Sequence, residues 1–267
     1  MPELPEVESV VRSLSSKIIG RRISNIYINN PNLRNFIDIN IGNKLVGSYI
    51  SEIYRRAKYI VFIMDDFVLI IHLGMTGILL FNGNLSLKHN HVNIFFDDGN
   101  YIVYNDCRRF GSFHIINKDE EEVFFSKIGM EPLIESFNYT YLKNLLKGNR
   151  CIKSFLMDNK YIAGIGNIYA SEILYMCGIS PLRQVKDIND VEINNLIYSI
   201  KNILTESIKN NGSSIRDYKN ADGVFGVYQK FFKVYNRQGK ECYNCQNKIE
   251  KILVNGRSTF LCNYCQS

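Results

Sequence analysis

The feature that most restricts how this chain can fold lies near its C-terminal end, where Cys242, Cys245, Cys262 and Cys265 follow the pattern C-x2-C-x16-C-x2-C. Each pair forms a knuckle that turns two sulfurs to one side, and the stretch between the knuckles is long enough for a hairpin that brings them together. Four thiolates at that spacing suit one tetrahedral zinc ion. Two disulfides are the competing reading, but they belong with small secreted domains in an oxidising compartment. The N-terminal segment is acidic and amphipathic, without the basic start and apolar core of a secretory signal, and it reads as the start of an intracellular, cytoplasmic chain. The remaining cysteines, Cys107, Cys151 and Cys177, read as buried free thiols.

With 267 residues and 46% hydrophobic content, the chain can build one large or two ordinary domains with real cores. Its richest apolar run, "YIVFIMDDFVLIIHLGM", is broken by Asp65 and Asp66. It falls short of the roughly 18 uninterrupted apolar residues that a membrane helix needs, so no membrane partner is expected. A net charge of +6, from 32 basic and 26 acidic groups, favours polyanionic partners only weakly. Its distribution says more: Lys230, Lys233, Arg237, Lys240, Lys248, Lys251 and Arg257 are opposed there only by Glu241 and Glu250.

Texture changes along the chain. Behind Pro5, the residues Val7, Val10, Val11, Leu14 and Ile18 recur at helical spacing, with Glu6 and Glu8 in the first turn. Residues 23–116 then alternate like short strands, with "DDGN" as a hairpin turn, and the lack of interleaved helices predicts an antiparallel sandwich or barrel. The charged stretch "NKDEEE" precedes a short apolar helix and Pro132. Helical patterns follow near 139–147, 150–157, 167–177 and 187–210. In "IAGIGNIYASEIL", Gly164 and Gly166 predict a tight turn with Asn167 at the cap of the next helix. Free N–H groups at such a start suit a phosphate, although the motif is weak by itself and ordinary capping is the simpler reading. Residues 212–226 are glycine-rich and polar and read as a mobile loop.

With Pro2-Glu3, "RRAKY", "HLGMTG", "NDCRRFG", "GIGNIYASE" and the four cysteines in one order, the sequence resembles the formamidopyrimidine-DNA glycosylases over residues 2–265. The resemblance implies an α+β multidomain protein in three parts: an antiparallel β-sandwich with an N-terminal helix over 1–132, a helix-two-turn-helix domain with its lesion loop over 133–228, and a zinc-finger β-hairpin over 229–267. DNA would lie in the cleft between the halves. The implied activity is base-excision repair: removal of 8-oxoguanine and formamidopyrimidines, followed by strand cleavage. The implied partner is double-stranded DNA with oxidised bases or abasic sites, the implied cofactor is one structural zinc ion, and the protein would be monomeric, working at the nucleoid.

The resemblance also distributes roles. Pro2, freed of Met1, would be a secondary-amine nucleophile, and Glu3 beside it an acid and base. Lys58 and Arg257 would hold phosphates and assist elimination. Met75, Arg108 and Phe110 would fill the gap left by an extruded base. Asn167, Lys153 and Arg257 would grip phosphates, with His91, Arg109 and Arg150 behind them. Blander readings compete: a helix-dipole partner for Glu3, a strand lysine for Lys58, a turn arginine for Arg257, a core methionine for Met75, and structural roles for His72 and His91. Glu6 and Glu172 read as buried braces, with the N-terminal region as a source of partners. Two departures stand out. Cys107 occupies a position where the family usually has proline, and "RDYKNADGVFG" matches the family's loop only in length and glycine content. Two alternatives compete with this reading. One is the related endonuclease VIII branch, which acts on oxidised pyrimidines; "PELPE" and Met75 argue against it. The other is a non-catalytic zinc DNA-binding protein, for which Pro2 and Glu3 would have no use.

Overall fold

The computed structural model describes residues 1–38, 40–215 and 217–267; Arg216, within the glycine-rich loop, lies outside the described residues. The chain forms two compact units, residues 1–126 with 210–229 and residues 127–209 with 230–267.

The first unit opens with α1 (Leu4–Ile18), which buries Val7, Val10, Val11, Leu14 and Ile18 on one stripe. Each such side chain withdrawn from water contributes about 2 kcal/mol. Then come β1 (Ile23–Ile28), α2 (Ile41–Leu45), β2 (Glu52–Arg56), β3 (Tyr59–Ile63), β4 (Phe67–His72), β5 (Ile78–Phe81), β6 (Asn90–Phe96), β7 (Tyr101–Asn105), β8 (Ser112–Asn117) and α3 (Glu121–Phe125). Two four-stranded sheets, in the orders β1-β6-β7-β5 and β2-β3-β4-β8, are antiparallel throughout. Residues from both sheets and from α1 share one apolar core, so the architecture is a sandwich and not a closed barrel. Gly99, at φ +85°, supplies the left-handed turn between β6 and β7 that "DDGN" predicts.

The loop that returns at 210–229 is anchored to this unit. Tyr218 and Ala221 join its core, and the Ala221 carbonyl accepts from Phe81 N at 2.9 Å, alongside β5. Asp222 pairs with Lys17 and accepts from Ser13 Oγ at 2.7 Å, fastening the loop to α1.

The second unit contains α4 (Tyr139–Leu145), α5 (Ile152–Leu156), α6 (Asn167–Cys177), α7 (Asp190–Lys209) and the hairpin β9 (Glu250–Val254) and β10 (Arg257–Leu261). In α7 the residues Ile193, Leu196, Ile200, Ile203, Leu204 and Ile208 form the buried stripe that packs on α6. By contrast α6 is buried on almost every side, and it ends at Gly178 in the left-handed conformation, φ +69°. Among the described residues no helix is long and apolar enough to cross a membrane.

Candidate nucleic-acid interface and metal centre

Pro2 and Glu3 are both buried, and Glu3 is the N-cap of α1. The Glu3 backbone N–H donates to Glu6 Oε2 at 2.8 Å, which fixes the direction in which the chain enters the helix. The other carboxylate oxygen of Glu6 accepts from Ser213 N at 2.7 Å and Ser213 Oγ at 2.9 Å, while the Glu6 carbonyl accepts from Tyr218 OH at 2.9 Å. The N-terminus and the returning loop are thus tied at one buried carboxylate. A side chain at position 212 is not tolerated there: a Cβ on Gly212 would come within 2.7 Å of Glu6 Oε1, and its φ is +73°.

Lys58 is not a surface strand residue. It sits in the turn between β2 and β3 beside Ala57, at φ +53°, and is only 4% exposed. The hairpin is fastened to α1 by Arg55, which donates to Glu8 at 2.9 Å and to the Ala57 carbonyl at 3.1 Å. Helix α1, which Pro2 and Glu3 precede, packs on β2 and β3, the strands that flank Lys58.

Met75 and Phe110 are 42% and 43% exposed, unlike core residues of their type, and the Arg108 guanidinium lies 4.7 Å from the Phe110 ring centre. The residue that gathers them is Asp106, which is fully buried. Its carboxylate accepts from Thr76 Oγ1 at 2.5 Å, Tyr104 OH at 3.0 Å, Arg108 N at 3.2 Å and Gly111 N at 2.9 Å. The loop that carries Met75 and Thr76 and the loop that carries Arg108 and Phe110 are both clamped by this one side chain. Asp106 is inconspicuous in the sequence because the arginines dominate "NDCRRFG"; an aspartate two residues before a turn is the local cue to it. His91 is buried and its Nε2–H donates to the Asp106 carbonyl at 2.8 Å. His72 Nδ1 accepts from Gly74 N at 2.9 Å and so shapes the turn that presents Met75. Burial, with the Lys58 and Arg34 cations nearby, lowers His72 to about 4 and keeps it neutral. Arg109 is exposed in the left-handed region, φ +58°.

In the second unit, Lys153 is only 1% exposed, and its ammonium donates to Asn167 Oδ1 at 2.7 Å and Thr259 Oγ1 at 2.6 Å. Asn167 in turn donates to the Ser258 carbonyl at 2.9 Å. It is the first residue of α6, one place after the cap predicted for it: Gly166 takes the extended cap conformation. These bonds seat the β9–β10 hairpin on α5 and α6. Beside them opens a cavity of about 450 Å³ lined by Arg150, Lys153, Ser154, Met157, Asn255 and Arg257 among others. Arg257 is exposed at the start of β10, after the tight Asn255-Gly256 turn. Arg150 lies closer to Asp158, to which it donates at 2.7 Å.

Glu172, on α6, is buried as expected, but the N-terminal region is not its partner. Its carboxylate accepts from the backbone N–H groups of Lys233, Val234 and Tyr235 at 2.8, 3.0 and 2.7 Å. Burial raises its carboxyl above the ordinary range, and these three bonds pull the other way.

Cys242, Cys245, Cys262 and Cys265 converge with all four sulfurs within 4.8 Å of one another. The closest pairs stand 3.8 Å (Cys242–Cys265) and 3.4 Å (Cys245–Cys262) apart, so no disulfide joins them. Around a tetrahedral ion with metal–sulfur bonds of about 2.3 Å, sulfurs would be spaced about 3.8 Å apart, so this donor set fits such a metal. The other three cysteines are free, but not buried as expected: Cys107 is exposed, and Cys151 and Cys177 are half-buried. Cys107 is carried out of the core by the same projecting loop that exposes Arg108.

The chain as a whole has close relatives. Residues 1–113 match the formamidopyrimidine-DNA glycosylase N-terminal domain, and residues 128–219 match the H2TH domain of the same family. A formamidopyrimidine-DNA glycosylase of Wolbachia pipientis wMel is 46% identical over 271 residues, covering 100% of both chains. The structure superposes on Lactococcus lactis Fpg in complex with abasic-site DNA, with a TM-score of 0.91, 36% identity and 99% of each chain covered. It superposes equally well on MutM in complex with DNA containing carbocyclic 8-oxo-G, with a TM-score of 0.91, 36% identity and 99% of each chain covered. With both family domains matched and this likeness spanning its whole length, the chain belongs to the formamidopyrimidine-DNA glycosylase family.

Proposed function

We propose that the protein is a base-excision repair enzyme, a DNA glycosylase and abasic-site lyase that removes 8-oxoguanine and formamidopyrimidines from duplex DNA. The observation that carries this reading is the buried Pro2–Glu3 pair at the start of α1, in the same unit as an exposed Met75, Arg108 and Phe110, within a chain of this family. A pure DNA binder has no need for a terminal proline beside a buried carboxylate.

The chemistry follows from what each group offers. Removal of Met1 turns the Pro2 nitrogen from an amide into a secondary amine with a lone pair. That nitrogen attacks the sugar C1′, the glycosidic bond breaks toward the base, and Glu3 protonates the ring oxygen as the sugar opens to an iminium. The iminium acidifies the C2′ hydrogen; loss of that proton expels the 3′ phosphate, and a second elimination expels the 5′ phosphate. Hydrolysis of the remaining imine returns the amine. Lys58 and Arg257 hold the phosphates that leave, with Arg257 acting in the second elimination. Met75, Arg108 and Phe110 occupy the space of the extruded base. Lys153 and Asn167, with Arg150, Arg109 and His91 in outlying positions, bind the flanking phosphates.

The functional division is a catalytic sandwich over 1–132, a DNA-binding helical region with the lesion loop over 133–228, and a finger over 229–267, although the loop itself packs in the unit of the sandwich. One structural zinc ion held by Cys242, Cys245, Cys262 and Cys265 would offset half of the thiolates' charge and knit the knuckles into a fixed support for Arg257.

The test is a duplex with one 8-oxoguanine opposite cytosine, incubated with protein whose Met1 has been removed. Release of the base and cleavage on both sides of the lesion are expected. Binding without cleavage across 8-oxoguanine, formamidopyrimidine and abasic duplexes would contradict the reading and favour a non-catalytic binder.

A further inference from the structure

Tyr175 lies on the last turn of α6 and is nearly buried, packed in the small apolar cluster formed by Val234, Cys242, Ile249, Phe260 and Cys262. A phenol in such surroundings must find an acceptor for its single proton. The bond made by this hydroxyl is to Cys242 Sγ, at 3.2 Å. The opposite knuckle meets the same end of the helix. Gln266 accepts from Cys262 N at 2.9 Å and donates to the Ile179 carbonyl at 2.9 Å, while Ser267 N donates to the Gly178 carbonyl at 3.1 Å. Both halves of the four-cysteine cluster are therefore attached to the C-terminal end of the helix whose first residue, Asn167, holds the β9–β10 hairpin.

We propose that Tyr175 is a supporting residue of the metal centre, its O–H donating to the Cys242 thiolate and fastening the ion-bearing finger to α6. The inference rests on the zinc reading above. Four thiolates around a divalent cation carry a net charge of −2. A donor aimed at one sulfur withdraws part of that charge, weakens the attraction of competing protons and ligands for the sulfur, and slows escape of the metal. A phenylalanine fills the same volume and keeps the apolar contacts, so Tyr175→Phe removes the donor alone.

The test compares Tyr175→Phe with the unsubstituted protein in two ways. In the first, zinc content is measured and zinc transfer to a chromogenic chelator is followed at fixed pH. Both proteins should hold one zinc per chain, and the variant should lose it about tenfold faster, at the lower end of what removing an outer hydrogen-bond partner of a metal ligand does. The second uses cobalt(II) as the probe. Loss of the donor raises the energy of the sulfur lone pair, so the sulfur-to-cobalt charge-transfer band should move to longer wavelength; a tyrosine that only packed would leave it in place. Release rates within about twofold of each other, or an unmoved band, would overturn the proposal. An unsubstituted protein purified without about one zinc per chain would instead overturn the metal reading on which it stands.

Discussion

Each unit buries a glutamate that holds a returning segment of chain, and the two differ in what they hold. Glu6 receives Ser213, 207 residues away, through one backbone and one hydroxyl donor, and it receives the Glu3 amide through its other oxygen. Glu172 holds residues 233–235 through backbone N–H groups alone. The first arrangement can be altered from either side of the bond. The second can be altered by substitution only at Glu172 or by a proline at 233–235, because every other residue presents the same amide. Backbone amides also leave no signature in sequence, which is why a buried carboxylate on the α6 stripe is legible while its partners are not.

Four perturbations distinguish the two units, from the largest effect to the smallest. Glu172→Ala leaves three amides without their acceptor in a buried place and should lower stability by about 4 kcal/mol, read by urea unfolding. Hydrogen exchange should rise at residues 233–235 and not at Ser213; protection unchanged at 233–235 would show that Glu172 does not order them.

Acid should act on the first unit through His72. Its pKa falls from an ordinary 6.5 to about 4 in the fold, so the unfolded chain takes up a proton that the folded chain refuses. This stabilisation is complete above about pH 6.5 and is lost as the pH falls toward 4, a difference of about 3 kcal/mol. His72→Asn retains an acceptor for Gly74 N but cannot titrate. The variant's stability should therefore change less over this range; an equally steep fall would assign the acid sensitivity to other groups.

Glu6→Gln keeps one acceptor oxygen but turns an amide NH2 toward one set of donors, and should cost about 2 kcal/mol. Exchange should rise at Ser213 while residues 233–235 stay protected. Ser213→Ala removes the hydroxyl donor and leaves the backbone bond, so about 1 kcal/mol is expected, with the least effect on the loop. A loss as large as that from Glu6→Gln would mean that the hydroxyl, and not the amide, carries the contact.

Much of the fold was legible because it rests on periodic burial and on glycine. The stripe of α1, the strands of 23–116, the β6–β7 turn at Gly99 and the four cysteines all announce themselves locally. Position 167 was displaced by one residue because Gly166 takes the cap without a side chain. What escaped was long-range. Nothing in "RRAKY" says that Lys58 would be buried in a turn, and nothing in "NDCRRFG" says that Asp106 would gather donors from both the Met75 loop and the Arg108 loop. Exposure of Met75 likewise follows from the turn at Gly74, whose Cβ would meet the Phe110 carbonyl carbon at 2.4 Å, and not from the apolar run around it.

Borohydride trapping identifies the nucleophile at Pro2. Protein freed of Met1 is mixed with a duplex bearing one 8-oxoguanine, reduced, digested and examined by mass spectrometry. A covalent sugar adduct on the Pro2 nitrogen is expected, and none when Met1 is retained. An adduct on a lysine instead, or an equal yield from the Met1-bearing chain, would contradict the assignment to Pro2.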